Sequence, residues 1–258
     1  MPLTRLSSLR HVLTRSWVKS ELLMSMSRNL QHEYLQAMGV QRWIAREGVD
    51  ELVADGMPEQ RTDTAEPVAQ DWLALETQVA GCQKCALHES RTQTVFGAGN
   101  PDADWLIIGE APGDEEDRQG TPFVGPAGEL LAEMLLAAGL QRDDVYIANI
   151  LKCRPPANRD PLPDEVDCCQ AYLQQQIILM QPQLILAVGR IAAHNLLQTK
   201  EKLGDLRGKV HHYGDTNIPV IVTYHPAYLL RSLLEKRKVW YDLQFAQAVY
   251  KQQLSVQD

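Results

Sequence analysis

From residue 104 onward, short apolar runs alternate with longer segments whose apolar residues recur at helical spacing. The short runs predict buried strands, and they cover residues 105–108, 145–150, 184–188 and 219–223. The longer segments predict helices, and they cover residues 127–138, 163–180, 191–197 and 237–253. Strands that alternate with helices favour a three-layer α/β/α fold around a central four-stranded, mostly parallel sheet.

The carboxyl ends of parallel strands meet at one edge of a sheet, and ligands of such folds bind there. In this chain the strands are followed by Glu110 to Gly113, by Asn149 and Lys152-Cys153-Arg154, by Gly189-Arg190, and by His225-Pro226. We therefore expect polar, glycine-rich and proline-rich residues from four strand ends to converge on one site.

The chain before this pattern divides into three parts. Residues 1–25 form the first part, and its first 20 residues contain basic residues and serines but no acidic residue, as in a transit peptide. An over-extended gene start is the preferred alternative, so this part is expected to be dispensable or mis-annotated. Residues 26–48 show helical spacing, and residues 49–70 are an acidic, proline-containing linker. The remaining residues, 71–258, are expected to form the functional domain.

Composition narrows the class of protein. The formal net charge is −8, which disfavours a broad nucleic-acid surface but permits a local basic patch. No apolar stretch approaches the ~20 residues of a membrane helix, so no membrane contact is expected. Five cysteines without a secretory signal argue against a disulfide framework. We expect a soluble protein in a reduced compartment, the cytoplasm of a bacterial cell.

The cysteines suggest a metal or cluster site. Cys82 and Cys85 form a C-x-x-C pair, Cys153 follows a strand, and Cys168 and Cys169 lie on the next helix. Four thiolates can bind zinc or an iron–sulfur cluster. The wide, irregular spacing favours a cluster held between distant segments. The alternatives are a redox C-x-x-C motif and two buried core cysteines on the helix.

A loop of small residues, 109–128, joins the first strand to the next helix. Small residues let backbone amides approach a ligand, and amides at a helix start can meet a phosphate or a carbonyl. Phe123 lies in this loop, where its ring could stack on a planar base or pack beneath a lid. The acidic run from Asp114 to Asp117 predicts a solvated loop.

Two further strand ends carry groups suited to a nucleobase. The Asn149 amide offers a donor and an acceptor, which match the edge of uracil. His225 could stabilise a developing anion. Leu229 and Leu230 could wedge apart a duplex while Arg231 holds a phosphate. The alternatives are a turn-forming asparagine, a histidine that caps its strand, and a helix with ordinary apolar leucines.

Together these motifs resemble the family 4 uracil-DNA glycosylases over residues 80–250. The resemblance rests on long, ordered and therefore specific segments: Cys82-x-x-Cys85, residues 109–128, Asn149 to Arg159, Cys169, and His225 to Arg231. It implies a uracil-DNA glycosylase-like α/β fold. It also implies a monofunctional enzyme that flips uracil out of DNA and hydrolyses its N-glycosidic bond, which initiates base excision repair.

The resemblance implies a role for each matching residue. The ligands of a structural [4Fe–4S] cluster would be Cys82, Cys85, Cys153 and Cys169, with Cys168 spare. The catalytic residues would be Glu110, Glu116 and His225. The substrate-binding residues would be Ala111, Phe123, Asn149 and Asn158, with Phe123 stacked on uracil and Asn149 reading its edge. The DNA-binding residues would be Leu229, Leu230 and Arg231.

Two departures from related enzymes bear on mechanism. Better-known uracil glycosylases have an aspartate near position 111, whereas this chain has Ala111. The reaction would therefore depend on electrostatic stabilisation of a sugar cation and a uracil anion. A cross-linking subgroup has a histidine in the segment that reads Arg154 to Arg159 here. We therefore expect turnover without a covalent adduct on DNA.

Residues 34–43 resemble the start of the psi subunit of bacterial DNA polymerase III. This implies a clamp-loader contact through residues 26–48, and a plain amphipathic helix is the alternative. Two other classes compete with the enzyme. One is a non-catalytic, cluster-stabilised module that binds DNA or replication machinery, and the other is a zinc protein of nucleic-acid metabolism. The joint presence of Phe123, Asn149 and His225 favours the enzyme.

Overall fold

The structure is a computed structural model that describes residues 71–257. The predictions for residues 1–25 and 26–48 and for the acidic linker 49–70 lie outside the described residues. Within residues 71–257, no helix is long and apolar enough to cross a membrane.

The sheet has six strands in the order β1-β3-β2-β4-β6-β5. The strands are β1 (Ala98–Gly99), β2 (Trp105–Gly109), β3 (Val145–Asn149), β4 (Leu184–Val188), β5 (His211–His212) and β6 (Pro219–Thr223). The four inner strands are parallel, as the sequence predicts. The two outer strands pair antiparallel with β3 and β6. These two-residue strands were not predicted, because two residues cannot show a hydrophobic period.

Nine α-helices surround this sheet within residues 71–257. They are α1 (Trp72–Ala80), α2 (Leu87–Ser90), α3 (Asp114–Gln119), α4 (Pro126–Ala137), α5 (Pro163–Met180), α6 (Arg190–Leu197), α7 (Leu203–Leu206), α8 (Pro226–Arg231) and α9 (Lys236–Gln257). Short 3-10 turns precede β3, at Arg142–Asp144, and α9, at Leu233–Glu235.

Each inner strand is buried along its whole length because helices cover both faces of the sheet. Alternate residues of a strand enter two separate hydrophobic clusters. Ile108 packs with residues of α5, α6 and α7, whereas Ile107 packs with residues of α4, α8 and α9. This division confirms the predicted α/β/α layers and explains why the strands read as continuous apolar runs.

The acidic run corrects one prediction. Asp114 to Asp117 form the first turn of α3 instead of a solvated loop. Acidic side chains are favourable at a helix N-terminus, where the backbone amides are unpaired. Asp117 is only 3% exposed, and its carboxylate accepts a hydrogen bond from the backbone amide of Thr92 at 3.0 Å. The run therefore starts a helix and ties it to the segment after α2.

Candidate active site

The ends of β2 and β3 lie side by side, with Gly109 paired to Asn149 in the sheet. Asn149 is only 2% exposed. Its side-chain Oδ1 is buried and has no hydrogen-bond partner among the described residues. Because buried polar atoms are nearly always paired, an acceptor without a partner at a strand end is a candidate ligand contact.

Gly109 allows Asn149 and Phe123 to approach the end of β2. A Cβ at position 109 would lie 2.4 Å from Oδ1 of Asn149 and 2.7 Å from Cε2 of Phe123. Such distances are far below van der Waals contact. The absent side chain therefore lets the amide oxygen and the aromatic ring share the same small space.

Phe123 forms an aromatic wall with His225. Their ring centroids are 5.6 Å apart and the rings are inclined by 30°. Phe123 is 7% exposed and also packs in the cluster formed by α4, α8 and α9. Its backbone is left-handed, with φ of 54°. The start of α4 is tight against it, since a Cβ on Gly128 would lie 1.8 Å from the Phe123 carbonyl oxygen.

His225 is the N-cap of α8. The Ala227 amide donates a hydrogen bond to Nδ1 of His225 at 3.2 Å. A neutral imidazole that accepts at Nδ1 carries its proton on Nε2. Burial lowers the pKa of His225 to about 4, Arg231 lowers it as well, and Glu116 opposes them. At neutral pH the ring is therefore uncharged and presents an Nε2–H donor.

Glu110 directly follows β2. Burial raises its pKa to about 7, the carboxylate of Asp160 raises it further, and the guanidinium of Arg190 opposes this change. Asp160 and Arg190 form an ion pair at 2.6 Å. Glu110 therefore titrates near neutral pH, as is common for acid–base groups in active sites.

Glu116 shapes the loop that carries Phe123. Its Oε2 accepts from the Gly113 amide at 3.0 Å. Its Oε1 accepts from the amides of Val124 at 3.0 Å and Gly125 at 3.3 Å. Both carboxylate oxygens are thus engaged by backbone donors on either side of the loop. This arrangement suits a residue that positions the loop.

The two remaining pocket predictions lie in different surroundings. Ala111 is partly buried and packs against the cluster that contains Cys153 and Cys169. Asn158 is exposed, and its Oδ1 accepts a hydrogen bond from Nε of Arg154 at 2.7 Å. The structure therefore brings Asn149, Phe123 and His225 together. Glu110 follows Gly109 beside them in the chain, and the side chain of Asn158 lies at the surface.

Lys152 is a buried residue that the sequence analysis did not single out for a role. It is 1% exposed. Its Nζ donates to the backbone oxygen of Asn149 at 3.0 Å and to Oε1 of Gln176 at 2.6 Å. Burial lowers its pKa to about 7, while Cys169 opposes this shift. A lysine in an apolar segment gives no sign in the sequence that it turns inward to fix a strand end.

The predicted DNA wedge is only partly accessible. Leu229 is fully buried in the cluster with α4 and α9, so its side chain belongs to the core and cannot enter a duplex without unpacking. Leu230 is 44% exposed, and beyond it Leu233 and Leu234 are 65% and 92% exposed. The sequence analysis missed these two leucines because helical spacing alone does not fix which leucines face inward.

The cysteines come from three distant segments. Cys153 and Cys169 are buried together with Leu87 and Leu151, and Cys85 packs against them. Burial raises the pKa of Cys153, Arg91 lowers it, and the nearby thiols of Cys82 and Cys85 raise it. The Cys169 thiol interacts with those of Cys153 and Cys85, and the Cys168 thiol interacts with those of Cys82 and Cys85. All five thiols therefore lie in one neighbourhood.

Arg91 joins two of these segments. Its guanidinium donates to Sγ of Cys153 at 3.1 Å and to the backbone oxygen of Cys82 at 2.7 Å. The Sγ of Cys168 donates to the carbonyl of Lys84, which lies between Cys82 and Cys85, at 3.4 Å. In residues 71–257 no three His, Cys, Asp or Glu side chains are arranged to hold a single metal ion. An all-thiol donor set fits a cluster, whose ligands bind separate iron atoms.

Fold and site together define an α/β protein with a buried amide oxygen and two stacked rings at the carboxyl edge of a parallel sheet. The model of the uracil DNA glycosylase superfamily matches residues 96–244. The type-4 uracil-DNA glycosylase of Archaeoglobus fulgidus is 46% identical over 159 residues, which cover 59% of this chain and 80% of the relative.

Two further type-4 uracil-DNA glycosylases give similar matches. The protein of Pyrobaculum aerophilum is 44% identical over 167 residues, which cover 62% of this chain and 85% of the relative. The protein of Thermotoga maritima is 43% identical over 160 residues, which cover 61% of this chain and 82% of the relative. The chain therefore belongs to the uracil DNA glycosylase superfamily, and within it to the type-4 family.

Proposed function

We propose that this protein is a monofunctional DNA glycosylase that excises uracil from DNA and thereby initiates base excision repair. The observation that carries the proposal is the unpaired, buried Oδ1 of Asn149 beside the stacked rings of Phe123 and His225. Type-4 relatives at 42–46% identity support the same substrate. A purely non-catalytic binding module is not favoured, because the polar groups of the pocket are all present.

The substrate base must leave the helical stack to reach this pocket. The ring of Phe123 offers a face on which the flipped base stacks. The amide of Asn149 accepts from the N3–H of uracil through Oδ1 and donates to O4 through Nδ2. Cytosine presents an acceptor at N3 and a donor at its exocyclic amine, so both contacts become repulsive. Asn149 therefore discriminates between the deaminated base and its parent.

Bond cleavage leaves negative charge on uracil and positive charge on the sugar. The Nε2–H of neutral His225 donates to the anion as it forms, which stabilises the departing base. The ionised carboxylate of Glu110 stabilises the sugar cation. The bond between N1 of uracil and C1′ of the sugar breaks. Water then adds hydroxide to C1′, and its proton neutralises the uracil anion.

Glu116 contributes through the loop, since its carboxylate is committed to the amides of Gly113, Val124 and Gly125. This proposal replaces direct catalysis by Glu116 with a positioning role. Ala111 supplies no carboxylate to activate water, which leaves Glu110 as the acid nearest the end of β2. A contact of Asn158 with the substrate stays a prediction.

We further propose that Cys82, Cys85, Cys153 and Cys169 hold a [4Fe–4S] cluster. The convergence of their thiols in and beside an apolar cluster supports this assignment. When bound, the cluster supplies rigid cross-links between segments that are far apart in the sequence. The resemblance assigns Cys169 to the ligand set and leaves Cys168 spare, and the burial of Cys169 beside Cys153 supports this choice.

DNA contact is proposed at the turn between α8 and α9. Leu230 and the still more exposed Leu233 and Leu234 are apolar groups at this surface. Arg231 lies among them and supplies a cation for phosphate. A location in the bacterial cytoplasm, a dispensable segment 1–25 and a clamp-loader contact through residues 26–48 all stay predictions.

The test is excision from an oligonucleotide that contains one uracil, followed by alkaline cleavage of the abasic site. We expect cleavage by the protein and a loss of roughly 100-fold or more in His225→Ala and Asn149→Ala. His212→Ala and Asn217→Ala are matched controls, because both residues are exposed and lie beside the start of β6, whereas His225 follows its end. The controls should cleave at the rate of the unchanged protein.

Two outcomes of this assay contradict the proposal. No cleavage by protein of full cluster content excludes uracil as the substrate. Equal activity of the His225→Ala and control variants excludes the assigned pocket. The same samples on a denaturing gel should show no stable protein–DNA adduct, since the segment from Arg154 to Arg159 has no histidine.

A further inference from the structure

The ring of Phe123 is held by a backbone conformation that phenylalanine rarely adopts. Its φ of 54° lies in the left-handed region, where the Cβ atom of an L-residue meets the following backbone. A residue in such a conformation relaxes to negative φ unless its surroundings prevent it. Something outside the ring must therefore hold the peptide of Phe123.

Arg142 provides that restraint on the carbonyl side. Its Nη1 donates to the carbonyl oxygen of Phe123 at 3.0 Å. Its Nη2 donates to the carbonyl oxygen of Pro122. A guanidinium presents its donors in a rigid planar fork, so two successive carbonyls are fixed relative to each other. Fixing both carbonyls fixes the φ and ψ angles of Phe123 between them.

The amide side of the same peptide segment is restrained by the opposite charge. Glu116 accepts from the amides of Val124 and Gly125, the two residues after Phe123. The Phe123 backbone is thus held from two sides: Arg142 binds the carbonyls of Pro122 and Phe123, and Glu116 binds the two amides that follow. Arg142 is half-buried, and this burial lowers its pKa, which reflects a guanidinium withdrawn from solvent into the loop.

Arg142 also links the loop to the strand that carries Asn149. It begins the 3-10 turn Arg142–Asp144, which leads directly into β3. The Gln141 amide donates to Oδ2 of Asp144 at 2.7 Å and closes this turn. Arg142 and Asn149 are therefore anchored at opposite ends of the five-residue strand β3.

We propose that Arg142 is a positioning residue that sets the Phe123 ring at the depth and tilt needed to stack on the flipped base. This inference rests on the proposed function, because it assumes that a base occupies the pocket. Arg142 touches neither substrate nor reacting atoms, and its whole effect passes through the Phe123 peptide. Loss of the guanidinium lets the backbone relax, and the ring leaves its stacked position against His225.

The test is a double-mutant cycle between Arg142 and Phe123 in single-turnover excision of uracil. We expect Arg142→Ala to reduce the excision rate by about tenfold or more, the scale of a released left-handed residue. In a Phe123→Ala background the same change should add little, since no ring remains to be positioned. Arg142→Lys keeps the positive charge but loses the two-pronged donor geometry. Its excision rate should lie between those of the unchanged protein and Arg142→Ala.

Arg118→Ala is the matched control, because Arg118 lies on α3, close to Phe123 in the chain. Its side chain is 61% exposed, and in the described structure it forms ion pairs only with acids of α3. It should excise at the unchanged rate. Equal and additive losses in both backgrounds, or full activity of Arg142→Ala, overturn the inference. Arg142→Lys with unchanged thermal stability and reduced excision supports it where the alanine variant fails to fold. Absence of excision by the unchanged protein counts instead against the proposed function.

Discussion

At the scale of single residues, two titratable groups have pKa values shifted in opposite directions. Burial lowers the pKa of His225 to about 4 and raises the pKa of Glu110 to about 7. Both shifts disfavour the charged form, as desolvation does for any ionisable group. The histidine is therefore neutral throughout the physiological range, and the carboxylate is the group that responds to pH.

This difference predicts the pH dependence of excision. A carboxyl with a raised pKa is protonated below about pH 7 and ionised above it. Since the proposed reaction uses the ionised form, kcat/KM should rise with pH through about 7 and then level off. His225 should add no inflection near neutrality. Single-turnover rates with uracil-containing DNA across this range measure the profile.

The Glu110→Gln variant should be slower and should lack the inflection. Glu115→Gln is a suitable control, because Glu115 is an exposed residue of α3. Its profile should match that of the unchanged protein. An inflection near pH 7 that survives in Glu110→Gln would assign the titration to another group.

Residue types and positions single out Phe123, Asn149 and His225 as candidates from the sequence, because Phe123 lies in a glycine-rich loop and the other two are polar residues at strand ends. The same approach misses Arg142, and it places Lys152 at a strand end without a role. Both donate hydrogen bonds to backbone carbonyls. Every residue has a carbonyl, so the sequence does not show which side chain binds it. Contacts of this kind become visible only when the loop and the strand are placed together.

At the scale of elements, α5 decides which of two adjacent cysteines is buried beside Cys153. Successive residues of an α-helix point about 100° apart. Cys169 is buried with Cys153, whereas Cys168 is partly exposed and donates to the Lys84 carbonyl. One face of the helix therefore carries the proposed ligand, and the neighbouring face carries the spare.

Replacement of the two cysteines should have different results. Cys169→Ser should remove the visible absorption of the cluster and most of the bound iron and sulfide, and it should lower the melting temperature. Cys168→Ser should retain all three properties. Purification without oxygen, followed by absorption and iron analysis, measures the difference. Full iron content in Cys169→Ser would exclude this residue as a ligand.

The inner strands match their predicted positions within one residue because both faces of each strand are buried. The helix α3 was missed because its acidic run has no apolar face. Its stability comes instead from capping contacts with Gly113 and from the contact of Asp117 with Thr92. Hydrophobic periodicity cannot detect an element that is held by polar groups.

At the scale of the whole molecule, the net charge of −8 gives no indication of a DNA surface. The basic residues at the turn between α8 and α9 are Arg231, Lys236, Arg237 and Lys238. Lys238 pairs with Glu235 at 2.8 Å, and Arg237 donates to the hydroxyl of Tyr241 at 3.0 Å. A small local patch in an acidic protein predicts few phosphate contacts and weak non-specific binding.

Removal of Arg231 should therefore act on the electrostatic part of binding. The slope of the logarithm of affinity against the logarithm of salt concentration should fall by roughly 1 in Arg231→Ala. Affinity should fall similarly for DNA with and without uracil. Fluorescence anisotropy over a salt series measures both quantities. Lys251→Ala is the control, since Lys251 is exposed near the distant end of α9, and an equal slope change there would argue against a local patch.

The buried Oδ1 of Asn149 has a consequence for the fold itself. An unpaired buried acceptor costs roughly 1–3 kcal/mol of folding free energy, and a typical domain has only a few times that amount to spare. Position 149 is thus a point of local frustration. An apolar residue of similar size at position 149 would satisfy the fold better and abolish recognition. At position 149, selection for folding stability therefore favours an apolar residue, whereas selection for base recognition favours asparagine.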